Sequence, residues 1–354
     1  MDYNKVLKEL ITTVIAEGGS DLHISEGRHP AVRVSGNLNY LVKKDVLTKD
    51  DAVGLLEALV GKDRTKKFFE KQEFDFSYDF NNGEARMRGS AFMEKGMVSI
   101  ALRLIPRVKT LPELKLPPIL ADFARRKQGF FLVVGPVGQG KSTTLASMVN
   151  LINTERAEHI VTIEDPIEYI FEQNRSIVDQ REVGIDTKDF QTGLNSVFRQ
   201  DVNVIMIGEM RNPETMATAV TAAETGHLVF STLHTNNAAQ TIDRIVDSFS
   251  AGQQDQIRVQ LASSLLGIFS QRLVPRISGG MIPAYELLIK NNAVANLIRE
   301  KRTHEINMVI ETGSEQGMID MNHSLLELVS MGEITPESAY TYSLNPKGLE
   351  RSLS

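Results

Sequence analysis

A glycine-rich stretch near the middle of the chain has the residue types and spacing of a phosphate-binding loop. The run Gly135-Pro136-Val137-Gly138-Gln139-Gly140-Lys141-Ser142 fits G-x-x-x-x-G-K-[ST], and it lies between an apolar run and a helical pattern. The glycines allow backbone N–H groups to face an anion, the lysine reaches β and γ phosphates, and the serine is a Mg²⁺ ligand. The loop therefore predicts a nucleoside triphosphate site with Mg²⁺. Its predicted contact residues are Gly135, Pro136, Val137, Gly138, Gln139, Gly140, Lys141, Ser142 and Thr143.

Carboxylates follow two other apolar runs. Glu209 comes just after residues 204–207, where a nucleotide-hydrolysing fold places an acid beside the metal or the attacking water. We therefore predict that Ser142 and Glu209 hold Mg²⁺. Glu164 and Glu168 follow the run at 160–163, and either could be the base that polarises water. The structural alternatives are a core strand ending in an exposed glutamate and an acidic turn set by Asp165-Pro166.

Two histidines flank the apolar run at residues 228–232. His227 precedes it and His234 follows it, within Leu233-His234-Thr235-Asn236. A lone histidine is more often structural, but a pair at the ends of one strand could sense a γ phosphate or link subunits.

Three arginines lie on neighbouring predicted strands of the first hundred residues. Alternation of side chains along a strand puts Arg86 and Arg88 on the same face, and Arg103 belongs to the next strand. Such a patch is usually solvated. If it is supplied across a subunit boundary, it could instead neutralise charge that develops on a phosphate.

The elements that must position these residues suggest two domains. An amphipathic helix over 3–17 and short strand-like runs up to about residue 104 predict a small α+β domain over 1–105. The proline-rich segment 106–118 is interpreted as a linker. From 119 to 354, apolar runs alternate with helical patterns and further helices follow, which predicts a mainly parallel sheet covered by helices. The predicted class is α/β.

Composition excludes several classes of protein. The 354 residues include 39 Lys and Arg against 45 Asp and Glu, a net charge of −6 that disfavours a protein coating DNA or RNA. The chain has no cysteine, so disulfides and thiolate metal sites are excluded. Neither an apolar run long enough to span a bilayer nor a secretion signal is found, so we expect a cytoplasmic protein.

The motifs together resemble the type IV pilus retraction ATPases, which are members of the secretion-type hexameric motor family. The resemblance runs from about residue 5 to residue 330. Its motifs are Ser20-Asp21-Leu22-His23, the loop 135–142, Thr162 to Glu168, Ile207 to Arg211, Gly226-His227, Leu233 to Asn236 and Ala293 to Glu300.

The resemblance implies a PAS-like N-terminal domain, a RecA-like ATPase domain and a homohexamer that binds ATP at its interfaces. Glu168 would be the base, Glu209 the Walker B acid, and His227 with His234 the histidine box. Arg86, Arg88 and Arg103 would reach the nucleotide. The motor would lie at the inner face of the cytoplasmic membrane and pull on an inner-membrane platform protein, so that pilins leave the fibre. Neither nucleic acid nor zinc is expected as a partner.

One departure from the family keeps alternatives open. The retraction motif has an arginine where this chain has Ala295. An accessory paralogue that works with a partner retraction ATPase is therefore one alternative. Another is an extension or secretion ATPase, although those usually carry a longer N-terminal region and a four-cysteine zinc element. A RecA-like motor on nucleic acid and a nucleotide-regulated scaffold without turnover are the alternatives from other classes.

Overall fold

The computed structural model describes residues 2–34, 36–81, 85–105 and 107–353. The chain divides into two compact units. The first comprises residues 1–107 with 168–170, and the second comprises residues 108–167 with 171–354. The division at 107/108 falls inside the segment 106–118 that the sequence marks as a linker. Pro106, the first residue of that segment, lies outside the described residues.

The first unit is a sheet with helices. Its elements are α1 (Tyr3–Ala16), β1 (Gly19–Ser25), β2 (Ala31–Val34), β3 (Asn37–Tyr40), α2 (Lys49–Val60), α3 (Lys62–Lys71), β4 (Glu73–Phe80), β5 (Ala85–Glu94) and β6 (Met97–Ile105). The sheet order is β3-β2-β1-β6-β5-β4, and the pairs are antiparallel.

Alternation along these strands separates an apolar face from a polar face. Leu22, Met87 and Leu102 are buried, and they join residues of α1 and α2 in one hydrophobic cluster. The neighbouring positions Arg88 and Arg103 are exposed on the other face. This is the pattern of an antiparallel sheet with a core on one side, because successive side chains point to opposite faces.

The second unit alternates strands with helices. Its elements are α4 (Ile119–Ala124), β7 (Gly129–Val134), α5 (Lys141–Glu155), β8 (His159–Glu164), β9 (Ile177–Glu182), α6 (Phe190–Val197), β10 (Val204–Ile207), α7 (Pro213–Glu224), β11 (Leu228–Leu233), α8 (Ala238–Asp247), α9 (Ala251–Ser264), β12 (Leu265–Pro275), β13 (Met281–Ile289), α10 (Asn292–Arg299), α11 (Ile306–Thr312), α12 (Met321–Ser330), α13 (Pro336–Tyr342) and α14 (Pro346–Leu353).

The second sheet has the order β13-β12-β7-β11-β10-β8-β9. Neighbouring strands run parallel, except that β13 is antiparallel to β12. Every residue of β7, β10 and β11 is buried. Strands covered on both faces need continuous apolar runs, so the four short runs seen in the sequence correspond to β7, β8, β10 and β11. The strand β9 and the β12–β13 hairpin lacked such a signal.

The helices that follow β13 complete the second unit. Val294, Leu297 and Ile298 of α10 join the main core, and α12 packs Met321, Leu325 and Leu328 against the β12–β13 hairpin in a separate cluster. None of the helices in the described ranges has the length and apolarity needed to traverse a bilayer.

Candidate functional site

The glycine-rich loop connects the buried strand β7 to the N-terminus of α5, as the sequence predicts. Gly135, Gly138 and Gly140 have φ values of +148°, +77° and +76°. A Cβ on Gly135 would come within 2.5 Å of the Gln271 carbonyl oxygen, so only glycine fits there. Gly140 is the N-cap of α5 and has no side chain to occupy the first N–H groups of the helix. Those donors, at the positive end of the helix dipole, are suited to bind an anion.

Lys141 begins α5 and lies within the loop. Its exposed fraction is 7%, and its Nζ donates to the carbonyl oxygens of Gly135 at 2.9 Å and Pro136 at 2.8 Å. The same Nζ is 3.2 Å from Nδ1 of His234. The positive charge of Lys141 is therefore held directly beside the N–H groups that are suited to bind an anion.

Four consecutive strands of the sheet end at the same edge as this loop. β7, β11, β10 and β8 are neighbours in that order and run parallel. Their carboxyl ends lead to the loop, to His234, to Glu209 and to Glu164 respectively. Adjacent strands are about 4.8 Å apart, so this edge gathers residues that are far apart in the chain.

Glu209 and His234 meet at this edge. His234 Nε2 is 3.7 Å from Glu209 Oε2, and Arg211 donates to the other oxygen of Glu209. The hydrogen bond that Arg211 donates to the Glu209 carboxylate raises the pKa of Arg211 above its ordinary value. Two hydroxyls of β11 fix the end of β10: Ser231 Oγ donates to Ile207 O at 2.9 Å and Thr232 Oγ1 to Gly208 O at 2.6 Å. Because His234 contacts both Lys141 and Glu209, the three side chains form a continuous chain of contacts.

Glu164 ends β8 and is buried beside β10. Thr162 Oγ1 donates to its Oε1 at 2.6 Å, and Gln180 Nε2 donates to the same oxygen at 3.3 Å. Gly208 N donates to Ile163 O at 2.8 Å, which fixes the strand ends that carry Glu164 and Glu209 side by side. Glu168 follows in the segment between β8 and β9, and it groups with the first unit.

His227 lies at the other end of β11. Gly129 N, at the start of β7, donates to the His227 carbonyl at 3.0 Å, whereas His234 follows the last residue of the same strand. The 6 residues of β11 lie between the two histidines, so their Cα atoms are roughly 23 Å apart at 3.3 Å per residue. The His227 ring packs edge-on against Phe198, with 5.6 Å between centroids. Within one chain the structure thus brings only His234 to the loop.

The three arginines share the polar face of the first sheet. Arg88 and Arg103 are direct cross-strand partners, and Arg86 is two positions from Arg88. Arg103 Nε donates to Asp21 Oδ1 at 2.8 Å. Burial by itself would raise the pKa of Asp21, but hydrogen bonds from Ser20 and Arg103 outweigh it and hold the pKa below its usual range. The predicted patch is present as a row of charges across the sheet.

The sequence interpretation missed Gln271 of β12. Its Nε2 donates to the Gln139 carbonyl at 2.7 Å, and its Oε1 accepts from Thr144 Oγ1 at 2.7 Å. Leu273 N donates to Gln139 Oε1 at 2.7 Å. The available signal was a run of three polar residues, Ser270, Gln271 and Arg272, between apolar residues on both sides. A cavity of about 280 Å³ opens beside this contact, lined by Gly140, Thr143, Leu273, Arg276, Met281 and Pro283 among others.

Comparison with known proteins decides the family. Residues 2–316 match the family described as Type II/IV secretion system protein. The chain belongs to this family. It is 43% identical over 323 residues to the twitching motility protein of Neisseria gonorrhoeae, covering 90% of this chain and 86% of the relative. It is 40% identical over 334 residues to the type IV pilus retractation ATPase PilT of Pseudomonas aeruginosa, covering 94% and 96%.

A solved structure matches nearly the whole fold. The crystal structure of the pilus retraction motor PilT with bound ADP has a TM-score of 0.91 and 45% identity, and covers 97% of this chain and 98% of that chain. The relatives confirm the resemblance to pilus retraction ATPases, the α/β fold of an N-terminal domain with a RecA-like domain, and the predicted ATPase class.

Proposed function

We propose that this protein hydrolyses ATP as the motor of type IV pilus retraction. The observation that carries the proposal is the contact chain from Lys141 through His234 to Glu209, at the edge where the phosphate loop ends. The relatives named as a twitching motility protein and as a pilus retractation ATPase are similar over at least 86% of both chains. A cavity of about 280 Å³ also lies beside Gly140 and Thr143, next to the loop that would bind the phosphates.

The residues predicted from the sequence have distinct roles in this proposal. The loop N–H groups and Lys141 bind the phosphates and neutralise their charge. Glu168 is the base that orients water, and Glu164 is the alternative base. His234 contacts both Lys141 and Glu209, so it can respond to the loss of the γ phosphate.

The donor set fits magnesium. Ser142 Oγ and the Glu209 carboxylate are hard oxygen ligands at the same sheet edge, and Mg²⁺ is usually held by one or two protein oxygens together with substrate phosphates. When bound, Mg²⁺ neutralises charge on the transferred phosphoryl group.

The arginine row of the first unit fits a subunit interface. In a homohexamer, Arg86, Arg88 and Arg103 would approach a nucleotide and stabilise charge on the phosphates, and His227 would serve as a contact between subunits. The protein would act at the inner face of the cytoplasmic membrane on a platform protein.

The accessory role is the second candidate. Ala295, which replaces the motif arginine, is 3% exposed and belongs to the core, while Arg299 of the same helix is exposed and donates to Asn296 Oδ1 at 3.1 Å. The type IV pilus ATPase PilU of Pseudomonas aeruginosa is also 39% identical over 345 residues.

Two experiments test the proposal, the first for ATP hydrolysis and the second for the retraction and accessory roles. The purified full chain should release phosphate from ATP with Mg²⁺, and Glu209→Gln and Glu168→Gln should each lower kcat at least about 100-fold. Glu214→Gln, an acid at the start of α7, serves as the control. Unchanged turnover in both site variants would leave only a nucleotide-binding scaffold.

Fluorescent-pilus imaging in a deletion strain tests the biological role. Pili should extend but no longer shorten, and this chain alone should restore shortening. Restoration only when a second retraction ATPase is also present would establish the accessory role, and normal shortening in the deletion strain would overturn both.

A further inference from the structure

Strand β12 carries three consecutive buried polar side chains, Ser270, Gln271 and Arg272, and the last two are the largest. Gln271 is 2% exposed and Arg272 is 7% exposed. Consecutive side chains of a strand point to opposite faces, so the two reach different sides of the sheet. Burying an amide or a guanidinium is costly unless it is hydrogen-bonded, so their partners indicate what they hold in place.

Gln271 holds the phosphate loop. Both ends of its amide are used, one by the Gln139 carbonyl and the other by Thr144 of α5. With the bond from Leu273 N to the Gln139 side chain, β12 is attached at two points to the loop and at one point to α5.

Arg272 holds the loop that carries His234. Its Nη2 donates to Asn236 Oδ1 at 2.9 Å, two residues beyond His234. Glu286, on β13, accepts from Ala238 N at 2.8 Å and from Ser270 Oγ at 3.4 Å, which fixes the start of α8. Burial lowers the pKa of the Arg272 guanidinium, but an arginine stays charged in a protein.

Gln271 and Arg272 support the two segments that carry Lys141 and His234, whose side chains contact each other. Lys141 and His234 are 93 positions apart in the chain, and they touch only because the ends of β7 and β11 lie side by side. β12 pairs with β7 and bonds to the segments beyond both strands. We propose that Gln271 and Arg272 are positioning residues that set the Lys141–His234 contact. This inference rests on the proposed ATP hydrolysis.

The two residues differ in what their loss changes. Arg272 donates to the side chain of Asn236 in the His234 segment and otherwise to the Gln271 carbonyl oxygen of its own strand, so its removal misplaces His234 relative to Lys141 and Glu209 and lowers turnover. Gln271 reaches the loop that binds phosphates, so its removal weakens nucleotide binding as well as turnover. If the two residues only stabilised the fold, loss of Arg272 and loss of Gln271 would change nucleotide binding and turnover in the same way.

The test uses a double-mutant cycle in the purified full chain. Arg272→Leu and Asn236→Ala should each lower kcat about 10- to 100-fold, with KM for ATP and calorimetric Kd for ADP within about threefold of wild type. The double variant should be no worse than either single one, because both remove the same hydrogen bond. Asn236→Asp, which keeps the acceptor for Arg272, should recover most of the activity.

Gln271→Ala should raise KM and the ADP Kd about tenfold besides lowering kcat. Arg302→Leu is the control, because Arg302 is exposed and pairs only with Glu300 and Glu305 among the described contacts. Asn236 is exposed, so its variants test the inference even if Arg272→Leu fails to fold.

If the kcat losses of Arg272→Leu and Asn236→Ala multiply in the double variant, the inference is overturned. An unchanged kcat in Asn236→Ala would also overturn it. Equal increases of KM and Kd in Asn236→Ala and Gln271→Ala would also overturn it. In each of these cases wild-type hydrolysis would still support the proposed function. No hydrolysis by the wild type would instead remove the proposed function itself.

Discussion

The two sheets present their functional side chains in different ways. In the antiparallel sheet of the first unit, polar residues lie along one face, and Asp21, Arg103 and Arg88 form a row across neighbouring strands. In the second unit the central strands are wholly buried, and the polar residues come after the last residue of each strand. One sheet therefore offers a charged surface and the other an edge that gathers loops.

The difference follows from how each sheet is covered. A sheet with one core face leaves every second residue free for function, whereas a parallel sheet covered on both sides leaves only its ends. The first arrangement is suited to contact a neighbour, and the second is suited to enclose a ligand. Variants in matched positions of the two sheets can test this contrast.

The largest effect is expected at the edge of the second sheet. Lys141→Ala removes the cation that contacts His234 and the loop carbonyls, so kcat should fall at least about 1000-fold and nucleotide binding should weaken. Phosphate release and ADP calorimetry measure the two effects. Lys127→Ala, an exposed lysine of the same unit, should change neither. Activity above about a tenth of wild type would contradict the assigned edge.

The buried acid Glu286 should make the second unit less stable as pH rises. Burial raises its pKa to about 7, so the folded chain binds more protons than the unfolded chain between about pH 4.5 and pH 7. Stability is therefore lost across that window, by up to about 3 kcal/mol. Glu286→Gln keeps the acceptor for Ala238 N and should lack this loss. Urea unfolding followed by circular dichroism at pH 5 and pH 8.5 would show it, and parallel pH curves for the two proteins would refute it.

Replacing an arginine of the first sheet should affect turnover without affecting binding. Arg88→Ala should lower kcat about 100-fold while the ADP Kd stays nearly unchanged, if the arginine acts on a nucleotide across an interface. Arg28→Ala is the control, since Arg28 lies in the same unit and pairs with Glu94. Equal losses of binding and turnover would remove the distinction between the two sheets.

The smallest effect concerns Asp21, whose pH dependence should have the opposite sign to that of Glu286. Hydrogen bonds from Ser20 and Arg103 lower its pKa despite burial, so its contribution is present at neutral pH and is lost as pH falls through the folded value. Because Arg103 is largely exposed, the contribution is about 1 kcal/mol or less. Asp21→Asn should be less stable than wild type at pH 7 and should converge with it in acid. A constant difference across pH would argue against the ion pair.

The sequence predicted most of the second sheet's edge because local patterns suffice there. A buried strand is a short apolar run, and the residues just beyond its carboxyl end lie at the edge by geometry, so Lys141, Glu209 and His234 could be grouped. His227 and His234 were interpreted as a pair at the two ends of one strand, and only the end that carries His234 lies at this edge. Gln271 carries no motif, and it lies more than 120 positions from Gln139 and Thr144. Only the pairing of β12 with β7 brings it to the loop.

The sequence by itself determined the anion-binding loop, the alternation of the first sheet and the continuous runs of the second. These depend on glycine conformations and on side-chain periods within a few residues. The tertiary structure decided that Arg272 and Glu286 support the segment after His234, and that Ala295 faces the core. Strand order and helix packing set those contacts, and neither is encoded in any short stretch of the chain.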